Sequence, residues 1–366
     1  MFTRRLTSSL GLALLMVAAS LTNQIHTARA VAAPPDPNRP SVPLVPAAWL
    51  QDSNPIGGSG PLDLRYPATP VFAEINALKE SMLAAEAAGQ AVPGPQITRL
   101  ETLLGISSTT NPSLQPARPL EDIGRALHSA VALTNQSTGA SLAPVVQTSG
   151  GGYCSGNWCY ANAPVQTSEP TSDPQNLHPT MLNNYPNYGF FANMCGPGST
   201  TETVANWNAG LVQNFSGNHG TGPQGYMLHI ADLEMTWDGH TYNSPEHQPV
   251  YGTVVSTETS QINYQIGSPF YAQEDYPTAS SFANKIYSDV ASNSPPDMDV
   301  NTSNLPSWGI QGQYHIVAIF GDDDPDKQLK YYDTATSYSS NGNTLGFHYP
   351  FQSQITAGGG LVSLIW

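Results

Sequence analysis

Apolar residues recur at helical spacing along much of this chain, and the pattern changes character partway. Phe72, Ile75, Leu78, Met82 and Leu83 share one face of a predicted helix over 70–89. Ile97, Leu100, Leu103 and Leu104 mark a shorter helix over 93–104, and Ile123, Leu127, Val131 and Leu133 a third over 120–133. These runs make a helical N-terminal region, 62–135. Its position leaves three roles open: a propeptide, a partner-binding arm or a helical cap. A Ser/Thr/Gly linker follows over 136–152, ending in Gly150, Gly151 and Gly152, and reads as a domain boundary.

The second domain is expected over 153–366, where Tyr, Asn, Thr and Gly dominate. Val204, Trp207, Leu211, Val212 and Phe215 predict a helix over 201–215. Leu228, Ile230, Leu233 and Trp237 predict one over 226–237, and Phe282, Ile286, Tyr287 and Val290 one over 278–292. Residues 250–265 alternate in part and predict strands, and 294–308 reads as a loop. The run 313–321 is apolar on both faces after His315 and predicts a buried strand. An acidic turn over 322–327 and a return strand over 328–334 complete a hairpin. If that hairpin is symmetric about Asp324, Phe320 faces Gln328 and His315 faces Asp333. Opposed residues share a face with Cβ atoms roughly 5 Å apart. A slip of one residue would move Asp333 to the other face.

Composition narrows the setting. The 366 residues carry a formal charge of −15, with Lys and Arg totalling 12, so nucleic acid and anionic membrane surfaces are not expected partners. Arg4 and Arg5, the apolar run 10–21 and the small residues Ala28 and Ala30 give residues 1–30 the form of a secretory signal peptide, and the protein is expected to be secreted. The segment 31–61 is Pro-rich. No later apolar run is long enough for a membrane span.

Cysteine usage then singles out one residue. Cys154 and Cys159, five apart across Gly156 and Asn157, can close a small disulfide loop. That leaves Cys195 as a thiol in an oxidising compartment. It sits in Asn193-Met194-Cys195-Gly196-Pro197-Gly198-Ser199-Thr200-Thr201-Glu202. Pro197 suits a first helical turn, while Ser199 with Glu202 reads as a capping pair that starts the helix slightly later. Either places Cys195 near a helix N-terminus, where unpaired N–H groups and the dipole favour thiolate. A small buried core cysteine is the other reading of this stretch. With His315 on a central strand and Asp333 on the next, the order is that of a Cys-His-Asp nucleophile site. Metal and nucleotide signals are weak. The run Asp322 to Asp326 lacks the twelve-residue calcium-loop spacing. His229, His240 and His247 lack the i, i+4 spacing of a helical zinc motif, and the Gly-rich loops lack the P-loop Lys-Ser/Thr ending.

Cys-Gly-Pro-Gly-Ser at 195–199, Tyr-His-Ile-Val-Ala-Ile-Phe-Gly at 314–321 and Tyr-Tyr-Asp-Thr at 331–334 together resemble the C39-like group of papain-fold cysteine peptidases, over about residues 180–366. The resemblance implies an α+β papain-like fold with the nucleophile helix packed on an antiparallel sheet, here preceded by the helical region. It implies Cys195 as nucleophile, His315 as general base and Asp333 as its orienter, with no cofactor and a peptide or protein substrate. Such peptidases place a glutamine about six residues before the cysteine to bind the oxyanion. Here that position is Gly189. Asn187 is the better candidate for the role, Asn193 the other, with the Cys195 backbone N–H as a second donor. Two further functions stay open: a cell-wall amidase or endopeptidase using the same three residues, and a non-catalytic secreted binding protein on the same scaffold.

Overall fold

The N-terminal periodicity is realised as three helices, α1 (Pro70–Ala87), α2 (Gly94–Leu103) and α3 (Pro119–Ser137). The computed structural model of the chain describes residues 70–106, 118–137, 152–162, 194–217, 220–234, 253, 255–309, 314–323, 326–335 and 345–366, all within the unit Pro40–Trp366. The expected signal peptide, the Pro-rich segment 31–61, most of the 136–152 linker, and both Asn187 and Asn193 lie outside the described residues.

The apolar faces of the three helices join the same hydrophobic core as the residues after 153. Phe72, Ile75, Met82, Leu100, Leu120, Ile123 and Leu127 are buried in one cluster with Trp207, Phe282 and Trp366. The tightest link is polar. Lys79 of α1 is fully buried. Its Nζ donates to the carbonyls of Phe270 at 3.0 Å and Trp366 at 2.9 Å, and it lies 4.1 Å from the Phe270 ring centre and 4.2 Å from that of Trp366. Burial draws the Lys79 ammonium down to about 8, against the upward pull of Asp289. Lys285 Nζ also sits over the Trp366 ring, at 3.8 Å, and pairs with Glu80 and Glu274.

The chain is α+β. Its main sheet is antiparallel in every pairing. Its strands are β1 (Tyr153–Ser155), β2 (Trp158–Tyr160), β5 (Gln273–Asp275), β6 (Asp297–Asn301), β7 (Tyr314–Asp323), β8 (Gln328–Asp333), β9 (Gly346–His348) and β10 (Leu361–Ile365); a separate two-residue ribbon pairs β3 (Ser216–Gly217) with β4 (Gly220–Thr221). β7 is the axis. β6 and β2 share one of its edges and β8 takes the other, with β9 beyond. The β1–β2 hairpin is closed by the Cys154–Cys159 disulfide.

Over this sheet lie α4 (Cys195–Trp207), the short α5 (Ala209–Gln213), α6 (Gly222–Leu233) and α7 (Val255–Ile266), with α8 (Ala279–Ala291) and α9 (Gln352–Thr356) completing the chain. α4 packs on β7 and β6 and is flanked by α6 and α7. The helix predicted over 201–215 is divided at Asn208, whose side-chain oxygen accepts from the Leu211 N–H at 3.0 Å and caps α5.

Two expectations are corrected. Residues 250–265, expected as strands, contain α7. This helix is enclosed on all sides: Thr257, Glu258, Ser260, Gln261, Asn263 and Gln265 are as buried as Ile262. A helix with polar residues facing inward has no one-sided apolar stripe, and its Val, Thr and Ile imitate strand composition. Residues 294–308, expected as a loop, contain β6. Its inward Asp297 and Asp299 break the alternation that marks a strand.

Candidate active site

α4 begins at Cys195, after Met194, so the thiol lies on the first helical residue. The Ser199–Glu202 capping pair is not used. Both residues are buried inside the helix, and Met194 offers no side-chain cap. Gly198 N donates to Met194 O at 2.8 Å as the first intrahelical bond. The N–H groups of Cys195 and Gly196 precede that bond, and Pro197 has none. These amides and the helix dipole put positive potential at the sulfur. Cys195 is half-buried, the partial access expected of a reactive thiol.

Glycine lets this turn approach its neighbours. A Cβ on Gly196 would lie 2.2 Å from Thr253 Oγ1, and one on Gly198 would lie 2.3 Å from Thr334 Oγ1. Thr334 follows Asp333 in sequence. The start of α4 is therefore wedged directly against the end of β8.

His315 lies on β7 and Asp333 ends β8. His315 Nε2 and Asp333 Oδ1 are 3.0 Å apart, both side chains buried. The register differs from the symmetric expectation, and a bulge explains why the pair still forms. The hairpin closes with Asp323 opposite Gln328, and Asp322 and Gly321 pair with Leu329 and Lys330. Continued without interruption, that register would put Asp333 on the face opposite His315. The ladder shifts between Ile319 and Gly321, so Ile319 pairs with Tyr331 and Ala318 with Tyr332. The unpaired Phe320 restores the parity. Asp333 thus meets His315 diagonally rather than head-on.

The carboxylate is enclosed by donors. Oδ1 also accepts from the Ala335 N–H at 2.9 Å, and Oδ2 accepts from the Trp308 indole N–H at 3.0 Å and Ser307 Oγ at 3.2 Å. Burial alone pushes the Asp333 carboxyl up. The His315 charge, with the hydrogen bonds from His315, Ala335 and Trp308, outweighs burial and holds it below the usual carboxylate range. The Trp308 ring centre is 4.2 Å from that of His315. Ser307 is also bonded to the Tyr331 hydroxyl at 2.9 Å, and burial keeps that phenol protonated.

Of the four residues singled out by sequence, the structure brings His315 and Asp333 into contact and sets Cys195 at the head of a turn that packs against Thr334, the residue after Asp333. Asn187 lies outside the described residues. Trp308 and Ser307 were not anticipated, and Thr334 entered only as the last residue of the Tyr-Tyr-Asp-Thr motif. The only hint was a tryptophan inside an otherwise polar loop, Leu305-Pro306-Ser307-Trp308-Gly309. Among the described residues no group of three His, Cys, Asp or Glu side chains is placed to hold a metal, and no helix is long and apolar enough to cross a membrane. Compared with known proteins, the chain matches no family model and no curated sequence, so the reading of this site rests on its own geometry.

Proposed function

We propose that the protein is a secreted cysteine peptidase of the papain-like, C39-like kind, acting on peptide bonds. One observation carries the reading. A buried Asp333–His315 pair, with every carboxylate lone pair directed at a donor, stands against the first turn of a helix headed by Cys195. A helix of this kind laid on an antiparallel sheet that supplies the imidazole and carboxylate from adjacent strands is what a papain-like fold requires. With Nε2 held by Asp333, Nδ1 is the ring nitrogen left to take the Cys195 proton. The thiolate attacks the carbonyl carbon. His315 then returns the proton to the leaving amine, and water hydrolyses the thioester. The oxyanion meets the Cys195 N–H, with Asn187 as the second donor.

Alkylation of Cys195 by iodoacetamide between pH 4 and 9 tests the pair without knowledge of the substrate. The wild-type thiol is expected to titrate well below the ordinary value of about 8.5, and His315→Ala to return it there. A thiol that titrates normally in both proteins would make Cys195 structural and favour the binding-protein alternative. Casein and peptidoglycan digestion then separate a peptidase from a cell-wall amidase.

Trp308→Phe keeps a ring over His315 but removes the N–H on Asp333 Oδ2. Hydrogen bonds to charged groups are worth about 1.5–3 kcal/mol, and part of that holds the imidazole in place. The variant is expected to lose roughly tenfold in kcat/KM. An unchanged value would mean that the indole only packs.

A further inference from the structure

Behind the nucleophile helix lies a second group of titratable side chains that the peptidase reading does not use. Glu202 on α4, Glu234 just after α6, Glu258 on α7, and Asp297 and Asp299 on β6 are all buried. Three of them are tied to the helix that carries Cys195. Thr200 Oγ1 donates to Glu234 Oε1 and Thr203 Oγ1 to Asp297 Oδ1, each at 2.6 Å. Thr253, the residue wedged against Gly196, also bonds the Glu234 carboxyl. Glu258 reaches helix α4 through Asp297, since the two carboxyls lie against each other.

These carboxyls cannot all be ionised. Among the described residues no donor reaches either Glu258 oxygen or Glu234 Oε2, while Asp297 takes the hydroxyls of Thr203 and Ser199, both on α4. A pair of acceptors in contact satisfies itself only by sharing a proton. The groups acting most strongly on these three acids are burial, one another, Asp299 and hydroxyl donors, and none is basic. Among the described residues no cation is one of the main influences on these three acids. Tyr226 on α6 feels Glu234, Tyr271 feels Asp297 and Tyr332 on β8 feels Glu202. The histidines on packed elements are His229, stacked on Phe215, His315, bound to Asp333, and His128 of α3, stacked on Trp207 at the far end of α4.

We propose that this carboxyl cluster is a proton-operated latch: protonated, it fixes the first turns of α4 and hence the Cys195 turn, and as the surroundings become neutral its loss of protons loosens that helix. The protein is thereby built for an acidic exterior. The latch stands whether or not Cys195 is a nucleophile.

The sign follows from linkage. Burial pushes Asp297 up to about 6 and Glu234 up to about 8, and Glu258 well above the carboxylate range. Acids raised on folding give stability that is fully present below the ordinary carboxylate values of roughly 4 and is lost as pH rises through the folded values. Buried Glu121 and Asp289, both pushed up to about 7 by burial, act in the same direction. His128, drawn down to about 3 by burial, acts in the opposite one. The small number of basic residues, 12 Lys and Arg in 366, limits self-repulsion when the carboxylates are neutralised.

The test is reversible unfolding of the full chain from pH 4.5 to 8.5, beside Glu258→Gln, whose amide can donate to Asp297 without titrating. The wild-type unfolding constant is expected to rise at least about 100-fold between pH 5 and 8, and the rise to be at least about tenfold smaller in the variant, which lacks only the share of Glu258. His128, Glu121 and Asp289 are common to both proteins and cancel in the difference between the two profiles. Hydrogen exchange, corrected for its intrinsic pH dependence, should speed up at least about tenfold more in α4 than in α8. A wild-type stability that is flat or rises toward pH 8 overturns the proposal. So does an unchanged profile in Glu258→Gln, or equal acceleration of both helices. If Glu258→Gln does not fold, Asp297→Asn is read by the same criteria.

Discussion

Replacing Asp333 with alanine is expected to lower turnover by the proposed peptidase on the order of 10³–10⁴-fold and to cost about 3–5 kcal/mol of stability. The reason is the number of groups it serves. His315 Nε2, the Ala335 N–H, the Trp308 indole and the Ser307 hydroxyl all converge on its two oxygens, and deletion leaves them without their acceptor in a buried site. Asparagine is expected to be nearly as damaging to stability. Oδ1 and Oδ2 each accept from two groups, so an amide in either orientation turns its NH₂ against a donor. Chemical denaturation of the three proteins and a turnover assay check both parts. An asparagine variant as stable as wild type would show that the carboxylate's enclosure is not what holds the pair. The pH dependence has a definite sign. The Asp333 carboxyl is held low in the fold, so its contribution is present above the ordinary carboxylate range and disappears as pH falls below it. This is opposite to the carboxyl cluster behind α4, and the two together set a window of maximal stability on the acid side of neutrality.

The second large effect is expected far from the thiol. Lys79→Met keeps most of the aliphatic stem and removes the ammonium that joins α1 to Phe270 and Trp366. The Trp366 carbonyl retains the Ala272 N–H at 2.8 Å, so the main losses are the donor to Phe270 and two cation–π contacts. A cost of about 2–4 kcal/mol is expected, a large fraction of the roughly 5–15 kcal/mol that holds a domain together. Thermal unfolding of the full chain measures it. A loss below about 0.5 kcal/mol, the size of an ordinary surface substitution, would mean that α1 contributes through its apolar face alone. Because α1 to α3 share one core with the sheet and its helices, the cooperativity of that transition also reports whether the N-terminal helices melt with the rest.

Much of this architecture was legible in local chemistry. Helices α1, α2, α3 and α8 announce themselves through one-sided apolar spacing, which in α1 and α2 corresponds to one buried and one exposed face. The Cys154–Cys159 disulfide follows from two nearby cysteines across a turn, since a five-residue separation fixes their proximity whatever the fold does elsewhere. The β7–β8 hairpin and the placement of Cys195 at a helix start are likewise short-range consequences of Gly, Pro and strand-forming runs. What tertiary structure alone decided concerns the interior and the register. α7 and β6 are hidden from any periodicity argument because they bury Glu258, Asp297 and Asp299 where hydrophobic residues are the rule. His315 meets Asp333 through a bulge at Phe320 that no turn rule specifies, because an extra unpaired residue is fixed by what packs on the two faces of the sheet. Trp308 reaches the site from a segment whose sequence carries no period at all. Local spacing determines which elements form; only the packing of those elements determines which side chains are forced together out of water.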